Sequence, residues 1–280
     1  MIHYRLIVCI AAFLFVACTD KKNSSETSKK SSSPAEIIKP ELQDIVDSAN
    51  MVGSILVYDP TNAIYYSNDF ERSKKGFLPA STFKIVNSII GLETKVVEND
   101  STLFRWDGEK RRLKIWEQDL MLYEAFKVSC VPCYQEIARK IGIKRMKEYL
   151  ERFDYGSMVV DSASIDNFWL QGNSRISQLQ QIDFLQRLYN SQLPISERTE
   201  KIIKHIMLSE ETPVYKISGK TGWAVREGNN IGWWVGYLET KGNVCFFATN
   251  VEPKPGSDME KFPELRKQVT TSALKKLGII

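Results

Sequence analysis

The sequence predicts an α/β protein of the α+β type, in which an antiparallel sheet is flanked by terminal helices and carries an inserted helical lobe. Three features of the chain predict this layout: an apolar hairpin near the start, a long middle region with helical periodicity, and a second hairpin followed by an amphipathic helix. At 280 residues the chain is long enough to bury one sizeable core together with such a lobe.

The first hairpin follows a short helix. Pro40 suits a first helical turn, and residues 41–48 have helical periodicity. Residues 52–58 are apolar and β-branched, residues 59–62 (Asp-Pro-Thr-Asn) have turn chemistry, and residues 63–67 are again typical of a strand. We therefore expect a helix and then two paired strands.

The middle of the chain is predicted to be mostly helical, because apolar residues recur there with helical spacing. An irregular segment at residues 155–173, which carries Phe168 and Trp169, separates the helices into two groups. The predicted helices are residues 81–92, 118–125, 131–140, 144–153, 182–189 and 197–206.

The end of the chain returns to strands. Residues 214–218 lead into Gly219, and the long apolar runs 231–238 and 244–251 are joined by the turn 240–243. Pro263 then opens a last amphipathic helix that extends to Leu277. The two hairpins supply the strands of one sheet.

The first residues are predicted to lie outside the fold. Arg5 precedes an apolar run at residues 6–17, which is too short for a lasting membrane span and is typical of an export signal. Residues 15–18 (Phe-Val-Ala-Cys) resemble a bacterial lipoprotein cleavage box, in which the cysteine, here Cys18, is lipidated. A plain signal peptide with a chance cysteine is the alternative.

The domain boundaries follow from this reading. Residues 1–17 are interpreted as a lipoprotein signal peptide. Residues 18–39 are interpreted as a flexible tether, because residues 19–34 are Lys- and Ser-rich and cannot bury enough apolar surface to fold. Residues 40–280 form the globular domain, with the helical lobe at about residues 79–206. We expect an exported protein, anchored by lipid on the periplasmic side of a membrane.

The composition argues against some kinds of partner. The formal net charge of +4 is nearly balanced and no focused basic stripe is present, so nucleic-acid binding is not expected. His205 is the only histidine beyond the signal, and no second Cys pair accompanies Cys130 and Cys133, so no metal site is predicted.

Cys130 and Cys133 leave two interpretations open. Their spacing is that of a redox motif, and export would permit a disulfide. The alternative, which the sequence favours, is a pair of small buried residues at a helix start.

Ser81 and Lys84 stand out as a chemical pair. They lie three residues apart at a predicted helix start, and positions i and i+3 of a helix face the same way. With one histidine in the mature chain, a serine nucleophile needs another base, and lysine is the common substitute. Ser272 and Lys275 share the spacing by chance, since they lack the apolar lead, the proline turn and the helix N-terminus.

A lysine can act as a base only when it is neutral. With a pKa of about 10.4, roughly one side chain in 2,500 is neutral at pH 7. Burial among apolar side chains lowers that pKa by about 3 units or more. The apolar residues around Lys84, with Phe83 as a candidate wall, therefore predict a desolvated and partly neutral amine.

Further motifs accompany this pair in order along the chain. Ser129-Cys130-Val131 begins a predicted helix, Trp169 lies in the irregular segment, and Lys220-Thr221-Gly222 follows a predicted strand. Together with Ser81-Thr82-Phe83-Lys84, the chain from about residue 51 resembles the class D, or oxacillinase-type, serine β-lactamases. The resemblance implies the β-lactamase/transpeptidase-like fold and the hydrolysis of β-lactams, which is a function in antibiotic resistance.

The resemblance also implies a role for each catalytic residue. Ser81 would be the nucleophile, and Lys84 would be carboxylated by CO2 (as N6-carboxylysine) to serve as the general base, with no other cofactor. Trp169 would hold the carbamate, Ser129 would relay a proton to the β-lactam nitrogen, and Lys220 would line the opposite side of the cleft.

The substrate-binding residues are implied in the same way. Thr221, with Lys220, and Arg266 would fix the substrate carboxylate, and the backbone N–H groups of Ser81 and Trp223 would form the oxyanion hole. The remaining residues that the resemblance places around the substrate are Val131, Leu170 and Gly222.

Some of these residues also have a purely structural interpretation, and one motif differs from that of the family. Trp169 could be simple core, residues 220–222 a turn, and Arg266 a solvated helix residue. Where the family has Tyr-Gly-Asn, this chain has Tyr155-Gly156-Ser157, so the loop that carries Trp169 could be held less firmly.

Other functions stay open at this point. A β-lactam sensor or penicillin-binding protein would acylate without efficient turnover, and a D,D-peptidase would use the same Ser and Lys on cell-wall peptides. A non-catalytic lipoprotein is a further alternative.

Overall fold

The computed structural model describes Met1, residues 33–226 and residues 228–280. Residues 2–17 of the predicted signal peptide, Cys18 and the tether as far as residue 32 lie outside the described residues. Within the described part, Pro34–Ile280 form one compact unit.

A seven-stranded sheet spans this unit, with the strand order β1-β3-β2-β9-β8-β7-β6 in the described chain. Every neighbouring pair is antiparallel except β1 and β3, which are parallel at one edge. The strands are β1 (Ala35–Ile38), β2 (Met51–Asp59), β3 (Ile64–Ser67), β6 (Leu208–Glu211), β7 (Tyr215–Arg226), β8 (Asn229–Thr240) and β9 (Asn243–Pro253). The short strands β4 (Leu103–Phe104) and β5 (Leu120–Met121) form a separate pair.

The helices group at the chain ends and in the middle. Two of them, α1 (Pro40–Ser48) and α9 (Phe262–Lys276), contact each other across one side of the sheet. The others lie between β3 and β6 in the chain: α2 (Phe70–Lys74), α3 (Lys84–Glu93), α4 (Leu122–Lys127), α5 (Val131–Ile141), α6 (Ile143–Phe153), α7 (Gln178–Tyr189) and α8 (Glu197–Met207).

The observed architecture confirms the predicted fold class. Two local predictions were wrong. Residues 118–125 are not one helix, because Leu120 and Met121 pair with β4 before α4 begins. The predicted tether, residues 18–39, extends too far along the chain, because residues 35–38 form β1 and pair with residues 64–67. The sequence of β1, Ala-Glu-Ile-Ile, is short and does not alternate strictly between apolar and polar residues, so it gave no clear strand signal.

The sheet separates two apolar cores, because alternate side chains along a strand point to opposite faces. Ile55 and Val57 pack with α1 and α9, whereas Leu56 and Tyr58 pack with the middle helices. The same alternation divides the residues of β8 between the two cores. This two-sided burial explains why the central strands read as continuous apolar runs.

The glycines of β7 and β8 allow these strands to approach closely. Gly219 pairs with Gly236, and a Cβ atom on Gly236 would overlap the carbonyl oxygen of Ser218 and come 2.8 Å from Cζ of Phe247. Lys220 follows Gly219 directly, so this pairing also fixes the strand that carries Lys220.

Gly236→Ala should therefore lower the free energy of unfolding by about 1–3 kcal/mol, the usual cost of an overpacked core. Urea unfolding of the purified domain measures the change. Val214→Ala, at a side chain that is 70% exposed, is the control and should change stability little. Equal stabilities of the Gly236→Ala variant and the parent protein would contradict the close packing.

Candidate active site

Ser81 lies on a tight turn at the start of α3. A 3-10 turn (Ala80–Phe83) leads directly into the helix. Ala80 has φ +51°, an uncommon conformation for a residue with a side chain, and its N–H donates to the carbonyl of Trp169 at 2.8 Å. Thr82 Oγ1 donates to the carbonyl of Pro79 at 2.6 Å. These bonds fix the backbone on both sides of Ser81.

Lys84 faces Ser81 from the first turn of α3. Its Nζ lies 2.9 Å from Oγ of Ser81, and its side chain is completely buried. Burial lowers the pKa of Lys84 to about 7, because the ammonium form loses its hydration. The amine is therefore about half neutral at pH 7 and can exchange a proton with the hydroxyl.

Aromatic side chains form the dry wall beside this pair. Phe83 stacks on Trp169 with their ring centroids 5.5 Å apart, and both are completely buried. Nζ of Lys84 lies 5.1 Å from the ring centroid of Tyr134, whose hydroxyl is 2.8 Å from that of Ser88. No charged group forms an ion pair with Lys84 among the described residues, so no opposite charge offsets the desolvation of the amine.

Trp169 has an unused polar group. Its Nε1 is buried and has no hydrogen-bond partner among the described residues. A buried indole N–H usually donates to an acceptor, so this donor fits an additional acceptor in the same dry region. A carboxylate added to Nζ of Lys84 would supply such an acceptor, and the residues present therefore fit the modification implied by the resemblance.

Ser129 and Lys220 form a second hydroxyl–amine pair. Ser129 lies between α4 and α5 with φ +56°, and Nζ of Lys220 on β7 donates to its Oγ at 2.8 Å. The pKa of Lys220 is well below its usual range, first because of burial and then because of the positive charge of Lys84. Two amines thus adjoin two hydroxyls across the boundary between the helical lobe and the sheet.

The predicted residues surround one cleft of about 820 Å³. Lys84, Trp169 and Lys220 are buried beside it rather than among its lining residues. The predicted residues that line it are Ser81, Ser129, Val131, Leu170, Thr221, Gly222, Trp223 and Arg266. The structure therefore brings together every residue that the sequence placed at the site.

Arg266 is held against the sheet rather than exposed on its helix. It is 7% exposed, its Nε donates to the carbonyl of Pro263 at 3.1 Å, and its guanidinium also bonds the carbonyl of Gly222. Burial lowers the pKa of Arg266 to about 10, at which it still carries its charge at pH 7. The reading as a solvated helix residue is wrong.

The loop that carries Trp169 does not use the Ser157 side chain as a support. That side chain is exposed, and Ser157 instead exchanges two main-chain hydrogen bonds with Arg175, at 2.8 and 2.7 Å. Tyr155 is buried and its hydroxyl donates to Gln181 at 3.2 Å. Main-chain pairing therefore holds the loop where an asparagine amide is missing.

Cys130 and Cys133 are joined by a disulfide, with their Cα atoms 5.5 Å apart. The preferred reading as unlinked buried residues was wrong, although both are buried. The bond closes the first turn of α5 directly after Ser129, so it restrains the backbone that presents this hydroxyl.

His205 lies outside the cleft. Its Nδ1 is 2.9 Å from a carboxylate oxygen of Asp100, and its side chain is 59% exposed. The sequence suggested no acidic partner, because Asp100 is distant in the chain. The pair has a structural position at the surface.

The structure adds residues to the cleft that the sequence analysis missed. A basic run at residues 110–112, together with Leu113, Trp116, Lys127 and Val128, also lines it. The run Lys-Arg-Arg is visible in the sequence, but nothing in its spacing connects it to Ser81.

Comparisons with known proteins agree with this geometry. Residues 48–270 match the penicillin-binding protein transpeptidase domain family. The β-lactamase OXA-48 of Klebsiella pneumoniae is 43% identical over 228 residues, which cover 81% of this chain and 84% of that protein. The chain belongs to the class D β-lactamases.

Solved class D β-lactamases have the same fold. The enzyme from Sebaldella termitidis is 42% identical, with a TM-score of 0.83. The comparison covers 89% of this chain and 100% of that enzyme. The class D enzyme YbXI from Nostoc is 44% identical with a TM-score of 0.81, covering 85% and 98% of the two chains. As a class D β-lactamase, the protein is a hydrolase.

No helix among the described residues of this class D β-lactamase is both long and apolar enough to cross a membrane.

Reduction of the Cys130–Cys133 bond should lower the free energy of unfolding by about 1–2 kcal/mol, because the closed loop is short. Urea unfolding with and without a phosphine reductant measures the change. A Cys130→Val/Cys133→Val double variant is the matched control and should be insensitive to the reductant. A reductant effect of the same size in that variant would show that the bond is not its source.

Proposed function

We propose that this chain hydrolyses the amide bond of β-lactams through an acyl-enzyme on Ser81, with a carboxylated Lys84 as the general base. One observation carries the proposal: a fully buried amine lies 2.9 Å from the Ser81 hydroxyl. The buried indole N–H of Trp169, whose ring stacks on the neighbouring Phe83, has no partner in the described chain and supports it. Membership of the class D β-lactamases supports β-lactam hydrolysis as the overall reaction.

Ser81 is the attacking group. Its Oγ passes its proton to the base on Lys84 and bonds to the β-lactam carbonyl carbon, which breaks the ring amide. The backbone N–H groups of Ser81 and Trp223 are suited to stabilise the negative oxygen that forms, since preorganised donors are worth most in a water-poor site.

Lys84 needs a neutral amine before it can take up CO2. When Nζ carries the resulting carboxylate, it supplies a negatively charged base beside Ser81 and again beside the water that removes the acyl group. Trp169 would donate its free N–H to this carboxylate, and Phe83 would keep bulk water away.

The Ser129–Lys220 pair serves the leaving nitrogen. Oγ of Ser129 already accepts a hydrogen bond from Lys220, so it can pass a proton on to the nitrogen while Lys220 replaces it. Thr221 and Arg266, which line the same cleft, fix the carboxylate of the substrate. A role in antibiotic resistance follows from the reaction.

The predicted export signal and Cys18 support a proposal about where the enzyme is located. A lipid on Cys18 and a tether ahead of the folded unit would hold the enzyme at the periplasmic side of a membrane. Metabolic labelling with a fatty-acid analogue tests this, and equal labelling of a Cys18→Ala variant would contradict it.

Acid treatment followed by removal of CO2 should depress penicillin turnover, and bicarbonate should restore it. The neutral fraction of Lys84 rises as the pH rises through about 7, so recovery should be faster at pH 8 than at pH 6. Nitrocefin hydrolysis by the domain, followed over time after bicarbonate addition, measures both effects. Turnover that is indifferent to bicarbonate would remove the carbamate from the mechanism.

Ser81→Ala and Lys84→Ala should each reduce kcat/KM for benzylpenicillin by at least about a thousandfold, because nucleophile and base act as one unit. Ser272→Ala, in the other Ser-x-x-Lys of the chain, is the control and should leave kcat/KM unchanged. A rapid burst of acylation by the unmodified enzyme, with no turnover afterwards, would favour the sensor alternative instead.

A further inference from the structure

The cleft contains more positive charge than a single substrate carboxylate requires. None of the described residues that line it is acidic. The basic residues that line it are Lys110, Arg111, Arg112, Lys127 and Arg266. Since Thr221 and Arg266 account for one carboxylate in the proposed function, the other cations need a separate explanation.

Two of these other cations already have partners. The guanidinium of Arg111 forms an ion pair with Asp107, and its backbone N–H donates to Glu117 at 3.0 Å. Lys127 donates to the carbonyl of Leu208 and lies 5.1 Å from the ring centroid of Tyr123. Contacts within the protein therefore account for both of these side chains.

Lys110 and Arg112 are different. Both side chains are exposed at the cleft, and within the part of the chain that the structure describes neither forms an ion pair or a side-chain hydrogen bond. Other exposed cations differ in this respect: Arg139 pairs with Asp166, whereas Lys144 and Lys147 form no ion pair among the described residues. The feature that distinguishes Lys110 and Arg112 is therefore their position at the cleft.

The segment that carries these two cations is held in place. Nε1 of Trp106 donates to the carbonyl of Glu109 at 2.8 Å, and Nε1 of Trp116 donates to the carbonyl of Val128 at 3.0 Å. The second bond ties the segment to the residue directly before Ser129. Lys110 and Arg112 are therefore presented to the cleft from an anchored loop, which reduces the cost of ordering them around a ligand.

The two sources of charge belong to different walls of the cleft. Arg266 lies on α9 and contacts β7, whereas residues 110–112 lie between β4 and α4 on the side of the helical lobe. A bicyclic β-lactam has its ring carboxylate at one end and its acylamino side chain at the other. A substrate bound to Arg266 by its carboxylate can extend its side chain towards the other wall.

We propose that Lys110 and Arg112 form a second anion subsite, which favours β-lactams whose side chain carries an additional negative charge. This inference rests on the proposed function, because it concerns the substrates of the same cleft. Two exposed cations act through water, so the preference should be modest and sensitive to salt.

Benzylpenicillin and carbenicillin provide a matched pair of substrates, because carbenicillin differs only by a carboxylate on the side chain. The kcat/KM of each is measured for the enzyme and for a Lys110→Gln/Arg112→Gln double variant. The ratio of carbenicillin to benzylpenicillin should fall about fivefold in the variant, and 0.5 M salt should reduce the difference between the two proteins. A Lys144→Gln/Lys147→Gln variant, which removes two exposed cations of α6, is the charge-matched control and should keep the ratio of the parent enzyme.

A ratio within twofold of the parent value in the Lys110→Gln/Arg112→Gln variant would overturn the subsite, and so would the same fall in the α6 control. A general attraction of anions acts more strongly on carbenicillin, which has two carboxylates, and would therefore lower the ratio in the α6 control as well. Failure of the proposed function is a separate result, because the parent enzyme would then not hydrolyse benzylpenicillin at all.

Discussion

The buried amine of Lys84 is the constraint on which the rest of the site depends. A lysine that is completely buried, with no ion-pair partner among the described residues, cannot keep its ordinary pKa. Lowering that pKa from 10.5 to about 7 costs the ammonium form on the order of 5 kcal/mol. The packing of α3, which is buried along almost its whole length, supplies this free energy and makes the amine reactive beside Ser81.

The hydroxyls that adjoin the two buried amines are set on strained or restrained backbone. Ala80, directly before Ser81, and Ser129 itself both have positive φ, which costs about 1–3 kcal/mol for a residue with a side chain. The carbonyl of Trp169 restrains the first position, and the bond between Cys130 and Cys133 restrains the second. Strain and restraint thus lie at the same places, which is the arrangement expected where geometry has to be maintained during a reaction.

Periodicity and chemistry made much of this structure predictable from the sequence. The two hairpins, the amphipathic helices and the Ser81–Lys84 pair are local patterns, and a local pattern can be recognised without knowing the fold. β1 was missed because Ala-Glu-Ile-Ile is short and lacks a strict apolar–polar alternation. The disulfide was missed because spacing alone does not separate bonded from free cysteines. The position of Lys110 and Arg112 at the cleft could not be predicted, because only the tertiary packing of their loop beside Val128 brings them there.

Carbon-13 NMR of the active domain equilibrated with labelled bicarbonate tests the central claim most directly. The account predicts one protein-bound carbamate resonance near neutral pH, which disappears in Lys84→Ala and weakens as the pH falls below about 7 because the amine becomes protonated. A catalytically active enzyme with no such resonance, or a resonance that survives in Lys84→Ala, would contradict it.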